Sequence, residues 1–370
     1  MPTIPQSEFE PATTSPGEIP PNAFRVLVTG FGPFLNYTEN PSWLAVKPLQ
    51  NVVLETAPVV PEELSKSTST TTSSSIASTS TSALTSNPNA IPVTHDDFEL
   101  EAPPEPRPIH ISTLEIPVVY HDVLETVPGL HARPPVLPPN APADIAPAPA
   151  SNYDFIFHIG VAGRGPLRME RVGHKLGYHM KDAKGQLAPV VRVATKDFSR
   201  RDAGGDLSSM SSASLAPSAA EMVERERLGM EMVESGSDTI VRPTRGFGAG
   251  YETFPEEINT DIDVTKLVYD LRRSGIEQIY SSMDAGHYLC DFIYYCSLAE
   301  VKRSSKPYEK KRNTQVLFLH CPPVGLPLTT EEVTEAIKRI IVWVCEDLQV
   351  DDSKDDLVGV AAAAGVTVAK

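Results

Sequence analysis

Of the four cysteines in the chain, Cys290 stands in the setting that best suits a nucleophile. In the stretch SSMDAGHYLCDFIYYCSLAE, Ser281 to Glu300, a glycine-bearing loop runs into a helical pattern. Phe292, Tyr295, Cys296 and Ala299 repeat there at the i, i+3, i+4, i+7 spacing of one buried face. Cys290 falls in the first turn, just ahead of that face. Unpaired backbone N–H groups and the positive end of the helix dipole gather at such a turn, so the sequence predicts a thiol that loses its proton more easily than a free one. A packed core thiol is the alternative for the same residue.

A thiol nucleophile needs an imidazole to take its proton and later protonate a leaving amine, and a carboxylate to fix the tautomer of that imidazole. His320 ends the apolar run TQVLFLH, Thr314 to His320, where Pro322 and Pro323 stop a strand, so it stands at a strand's carboxyl end. Glu170 lies between Arg168 and Arg171 in the loop-like segment that follows YDFIFHIG, Tyr153 to Gly160, a continuous apolar strand of the kind buried on both faces. Taken alone, a solvated ion pair is the plainer account of Glu170. His158, inside the apolar strand, reads as a hydrogen-bonded core histidine. Cys296 and Cys345 read as packing residues, and Cys321 as a packed free thiol beside His320.

The elements that must position these groups alternate. FRVLVTG, Phe24 to Gly30, is a strand; the loop FGPFLNYTENPSW follows and leads to a helical pattern over Leu44 to Leu54. HISTLEIPVVY, His110 to Tyr120, is a strand before the helix start HDVLETV. TDIDVTKLVYDLRRSG, Thr260 to Gly275, is a helix with Ile262, Leu267, Val268 and Leu271 on one face, IEQIYSS is a strand, and Thr329 to Leu348 is a helix with early acids Glu331 and Glu332. Such alternation predicts an α/β fold around a largely parallel or mixed sheet, whose sites form outside the carboxyl ends of the strands. The loops at Phe31, Glu170, Cys290 and His320 would then share one edge. The motif GxxxxGK[ST] is absent and Pro33 lacks an N–H, which speaks against a phosphate cradle in the Phe31 loop.

Composition bounds the rest. The 370 residues include 35 prolines, and the formal charge of −16 opposes nucleic acid and anionic membrane surfaces as partners. No apolar run reaches the roughly 18 residues of a membrane helix, the first residues carry no signal-peptide pattern, and the cysteines have neither CxxC spacing nor a disulfide pattern. These features predict a cytosolic protein with free thiols. A metal held by Cys290, Cys296, His320 and Cys321 has the residue types without a standard spacing. The expected organisation is a disordered leader over 1–23 and one domain over 24–348. Low-complexity inserts interrupt that domain at about 61–108, 128–150 and 199–244, and a flexible tail covers 349–370. EMVERERLGMEMVE reads as a helix inside the last insert.

Five blocks in order resemble the pyroglutamyl peptidase I (pyrrolidone-carboxylate peptidase) family: VLVTGFGPF from Val26, NPSW from Asn40, GVAGRGPLRMER from Gly160, DAGHYLCDFIYY from Asp284 and FLHCPP from Phe318. The resemblance implies a three-layer α/β/α sandwich and a cysteine peptidase, free of metal or organic cofactor, that removes N-terminal pyroglutamate from peptides. It implies Cys290 as nucleophile, His320 as its base and Glu170 as the acid of the triad. Around the lactam it implies Phe31 and Phe34 as aromatic walls, Val161 as a backbone contact, and Tyr288 and Leu289 beside the nucleophile. A flat neutral lactam suits such a pocket, because aromatic rings cover its two faces and backbone groups can bond its amide edge. His287 stands where similar eukaryotic sequences often carry arginine. The rival reading is a catalytically silent homologue that engages a protein partner through its Ser/Thr/Pro-rich inserts.

Overall fold

The computed structural model describes residues 12–13, 19–56, 105–191, 243–305 and 312–363. The Ser/Thr tract and EMVERERLGMEMVE lie outside the described residues. The apolar runs form the strands the sequence predicts: β2 (Phe24–Phe31), β4 (Pro108–Ile116), β5 (Phe155–Val161) and β10 (Gln315–Cys321). These four pair in parallel in the order β4-β2-β5-β10 at the middle of an eight-stranded sheet. On the β10 side, β6 (Leu167–Glu170) pairs antiparallel with β10 and parallel with β9 (Ile279–Ser282). On the β4 side, β3 (Val52–Glu55) and then β1 (Ala12–Thr13) add antiparallel. A separate ribbon joins β7 (Val172–His174) to β8 (Glu257–Asn259).

Continuous apolar strands have two faces to cover, and helices cover both. On one face Phe155, Phe157, Leu317 and Leu319 pack with α1 (Pro41–Val46), α3 (Val264–Arg273) and α5 (Thr330–Ala363). On the other, Leu27, Ile156 and Phe318 pack with α2 (Tyr120–Leu130) and α4 (Leu289–Ser304). The result is a three-layer α/β/α sandwich. Helix α5 begins with a capping box: Thr329 Oγ1 accepts from the Glu332 N–H at 3.2 Å, and Glu332 Oε2 accepts from the Thr329 N–H at 2.8 Å. No helix among the described residues is long and apolar enough to cross a membrane.

Four expectations change. The Leu44–Leu54 helix is instead the short α1, a 3-10 turn over Lys47–Leu49 and strand β3, because Pro48 has no N–H to continue an α-helix and Asn51 turns the chain with φ of 58°. Glu170 is not in a loop but ends strand β6. The leader contributes β1 to the sheet edge. The tail continues α5 to Ala363, and Asp352 on it pairs with Arg107 at 3.3 Å and Arg312 at 2.8 Å. Residues 131–150 have no helix or strand, yet Ala146 is buried and the carbonyls of Asp144 and Pro147 accept from Asn51 and Arg25.

Candidate active site

Helix α4 starts where the loop from β9 turns back. Ser282 and Asp284 cap that loop: Ser282 Oγ accepts from the Asp284 N–H at 3.2 Å and Asp284 Oδ1 from the Gly286 N–H at 2.8 Å. The chain then passes through left-handed conformations at Gly286 (φ 80°) and His287 (φ 21°) before Tyr288 takes the N-cap position. Cys290 is therefore the second residue of α4. The first helical hydrogen bond at this end runs from the Phe292 N–H to the Tyr288 carbonyl at 2.8 Å, so the N–H groups of Cys290 and Asp291 precede the helical ladder.

Gly160 makes room for the sulfur. A Cβ at that position would lie 2.8 Å from Cys290 Sγ and 2.7 Å from the Phe318 ring. Gly160 is register partner to His320 on β10, and Phe318 is two residues before His320, its ring centroid 4.8 Å from the imidazole. Paired residues on neighbouring strands share a face and lie roughly 5 Å apart, so the imidazole and the sulfur occupy the same side of the sheet, one strand apart.

Strand β6 delivers the carboxylate from the opposite side of β10. Glu170 pairs in register with Phe318 and is fully buried. His320 Nδ1 and Glu170 Oε1 are 2.7 Å apart, which commits Nδ1 to the carboxylate and leaves Nε2 for other chemistry. The Tyr294 hydroxyl donates to the Glu170 backbone carbonyl at 3.0 Å and locks that strand end to α4. Arg168, half-exposed, approaches Glu170 Oε1 at 3.7 Å. Glu170 Oε2 is buried without a partner among the described residues.

Cys290 is the one cysteine of the four that is not fully buried. Its thiol is nevertheless held above the ordinary range, first by desolvation, then by Cys321, Asp291 and Glu170, with Arg168 acting the other way. The helix terminus alone therefore does not produce the easily lost proton predicted from sequence, because removal from water and nearby carboxylates outweigh it.

The residues expected around a ligand divide. Phe34 and Tyr288 face each other at 5.5 Å between ring centroids, and Tyr120, not singled out from sequence, meets Tyr288 edge-on at 6.1 Å. Phe31 and Leu289 are buried in the same apolar cluster as Phe292. Val161 packs its side chain into the opposite cluster, which leaves its backbone for any contact at the strand end. Tyr288 is tethered by its hydroxyl to the Lys181 carbonyl at 3.1 Å. The four-residue metal set does not assemble: Cys321 packs on the other sheet face, and Cys296 lies beside the Tyr251 hydroxyl at 3.4 Å.

The α/β sheet thus carries a cysteine that is not fully buried, a histidine and a buried glutamate on one face, the residue types that thiol-dependent hydrolysis requires. The sequence model of the family described as "Pyroglutamyl peptidase" matches residues 24–91. Human "Pyroglutamyl-peptidase 1" is 22% identical over 331 residues, covering 89% of this chain and 93% of its own, and the Mus musculus protein of the same name is 22% identical over 318 residues, covering 85% and 87%. A crystal structure of pyroglutamyl peptidase I from Bacillus amyloliquefaciens is 18% identical with a TM-score of 0.42, covering 86% of this chain and 94% of its own. The chain is thus similar, over most of its length and at low identity, to pyroglutamyl peptidases.

Proposed function

We propose that the protein is a cysteine-type omega peptidase that hydrolyses the bond after an N-terminal pyroglutamyl residue. The observation that carries the reading is the pairing of His320 Nδ1 with the buried Glu170 at 2.7 Å, one strand from the sulfur that fills the space over Gly160. Glu170 fixes the tautomer, so Nε2 of His320 is the basic nitrogen. Because burial disfavours a standing thiolate, His320 takes the proton as the sulfur attacks the pyroglutamyl carbonyl rather than beforehand. The Cys290–carbonyl bond forms, and electron density moves onto the oxygen. The N–H groups of Cys290 and Asp291 at the start of α4 are placed to stabilise that oxygen. Imidazolium then protonates the leaving amine as the amide bond breaks. Water, deprotonated by the same nitrogen, releases pyroglutamate and restores the thiol.

Substrate recognition follows from the same chemistry. Phe34 and Tyr288 offer aromatic surface to the flat lactam, Phe31 and Leu289 back them from the core, and the Val161 backbone supplies polar contact at the strand end. A cytosolic setting suits four free thiols.

Turnover of pyroglutamyl-aminomethylcoumarin by the wild type, Cys290→Ser and Cys296→Ser tests the assignment. Activity is expected in the first and third and abolished in the second. Full activity in Cys290→Ser would refute it.

A further inference from the structure

Next to the thiol, but outside the proposed triad, two histidines and a carboxylate converge. Asp291 is fully buried and projects from the first turn of α4 towards His174 at the end of β7 and His287 in the preceding loop. The His174 N–H donates to Asp291 Oδ1 at 3.0 Å, and Asp291 Oδ2 lies 3.2 Å from His174 Nδ1 and 3.5 Å from His287 Nδ1. The Tyr178 hydroxyl approaches the same oxygen at 3.2 Å. Three potential ligand atoms, one from each residue, lie within 4.8 Å of one another, the only such group among the described residues.

The spacing is informative. His174 Nδ1 lies 3.2 Å from each Asp291 oxygen and His287 Nδ1 3.5 Å from Oδ2, hydrogen-bond contacts longer than the about 2.7–2.9 Å of a charge-assisted N–H···O bond. A tetrahedral first-row ion with bonds of roughly 2.0–2.1 Å holds its ligand atoms about 3.3 Å apart. Two of the three edges, 3.2 and 3.5 Å, bracket that figure, and the third lies within 4.8 Å. The donor set of two imidazoles and one carboxylate is one zinc favours, with a fourth position open. His287 is about half exposed, so the open position has access to solvent.

We propose that His174, His287 and Asp291 form a binding site for one zinc-class divalent cation, distinct from the Cys290, His320 and Glu170 set. Both imidazoles bind through Nδ1 in the neutral form, and any proton they carry passes to solvent. Occupancy ties the His287 loop to β7 and to the first turn of α4. The site needs no thiolate.

Titration of the metal-stripped full-length protein with Co²⁺ at neutral pH tests the proposal. The expected result is one equivalent bound, with the visible ligand-field bands of a tetrahedral ion and without sulfur-to-cobalt charge transfer. His287→Ala, a change at a half-exposed side chain, should weaken binding by about a hundredfold or more, since even groups behind the ligands are worth 10–100-fold. His174→Gln should do the same, and Cys290→Ser should bind as the wild type does. Circular dichroism of each variant separates loss of the site from loss of the fold. Absence of saturable Co²⁺ binding in the wild type would overturn the proposal. So would binding unchanged in both folded histidine variants, or binding lost with Cys290→Ser.

Discussion

Gly160 is the position where the smallest perturbation should have the largest effect on the thiol. In Gly160→Ala the new Cβ would meet Cys290 Sγ at 2.8 Å and the Phe318 ring at 2.7 Å, where ordinary contacts begin near 3.4 Å. Relief requires each neighbour to retreat by roughly 0.6 Å or more, close to the 1 Å misplacement that typically costs about 100-fold in rate. Phe318 is fully buried between β5, β6 and α4 and has little space to move, so the sulfur takes up much of the shift. Overpacking of this kind costs about 1–3 kcal/mol, which leaves a folded protein to assay. The expected outcome is a fall in kcat of about 100-fold on pyroglutamyl-aminomethylcoumarin, with a changed rate of Cys290 alkylation by iodoacetamide. Wild-type kcat and alkylation rate in a folded Gly160→Ala protein would refute the placement of sulfur over this strand.

Other consequences follow from single contacts. Glu170→Gln keeps the volume but removes the charge facing His320 Nδ1, and kcat should fall on the order of 10²–10⁴-fold with KM little changed, as steady-state kinetics would show. His131 and His158 are buried and held neutral, each with its pKa lowered to about 3 by desolvation, His131 adding to the effect on His158. Between the unfolded value of 6.5 and about 3 the unfolded chain binds protons that the folded one refuses. Their contribution is therefore complete above the unfolded value and declines as pH falls, by about 2 kcal/mol per histidine near pH 5. Urea midpoints at pH 7 and 5 read this, and equal midpoints would contradict it. Thr329→Ala removes the capping box of α5 and should cost about 1 kcal/mol in the same urea assay.

Much of this was legible in the chain, for physical reasons that also mark where legibility ended. Phe24–Phe31, Phe155–Val161 and Gln315–Cys321 are short apolar runs bounded by glycine or proline, and such runs leave few alternatives to buried parallel strands. The thiol and the histidine were visible as residue types at a helix start and a strand end, and the acid as a residue type in what read as a loop. Their mutual geometry was not. Glu170 reaches His320 because a four-residue strand inserts between β10 and β9, whose sequences lie more than a hundred positions away, and nothing local in LRME announces that pairing. The helical spacing from Leu44 to Leu54 misled because Pro48 and the turn at Asn51 break it in a way that a count of apolar positions does not register. The cluster at Asp291 had no sequence signature, since its two histidines, His174 and His287, lie more than a hundred positions apart in the chain. The lowered thiol pKa failed as an expectation because the helix end was visible in sequence while the desolvation around it was not.

Rapid acid quench of the protein with a slow pyroglutamyl ester, followed by peptide mass mapping, addresses the central claim at the bond that forms. A pyroglutamyl adduct on the peptide containing Cys290, absent from those with Cys296, Cys321 and Cys345, is the predicted result. Turnover that continues while Cys290 remains unmodified at every quench time would contradict the account.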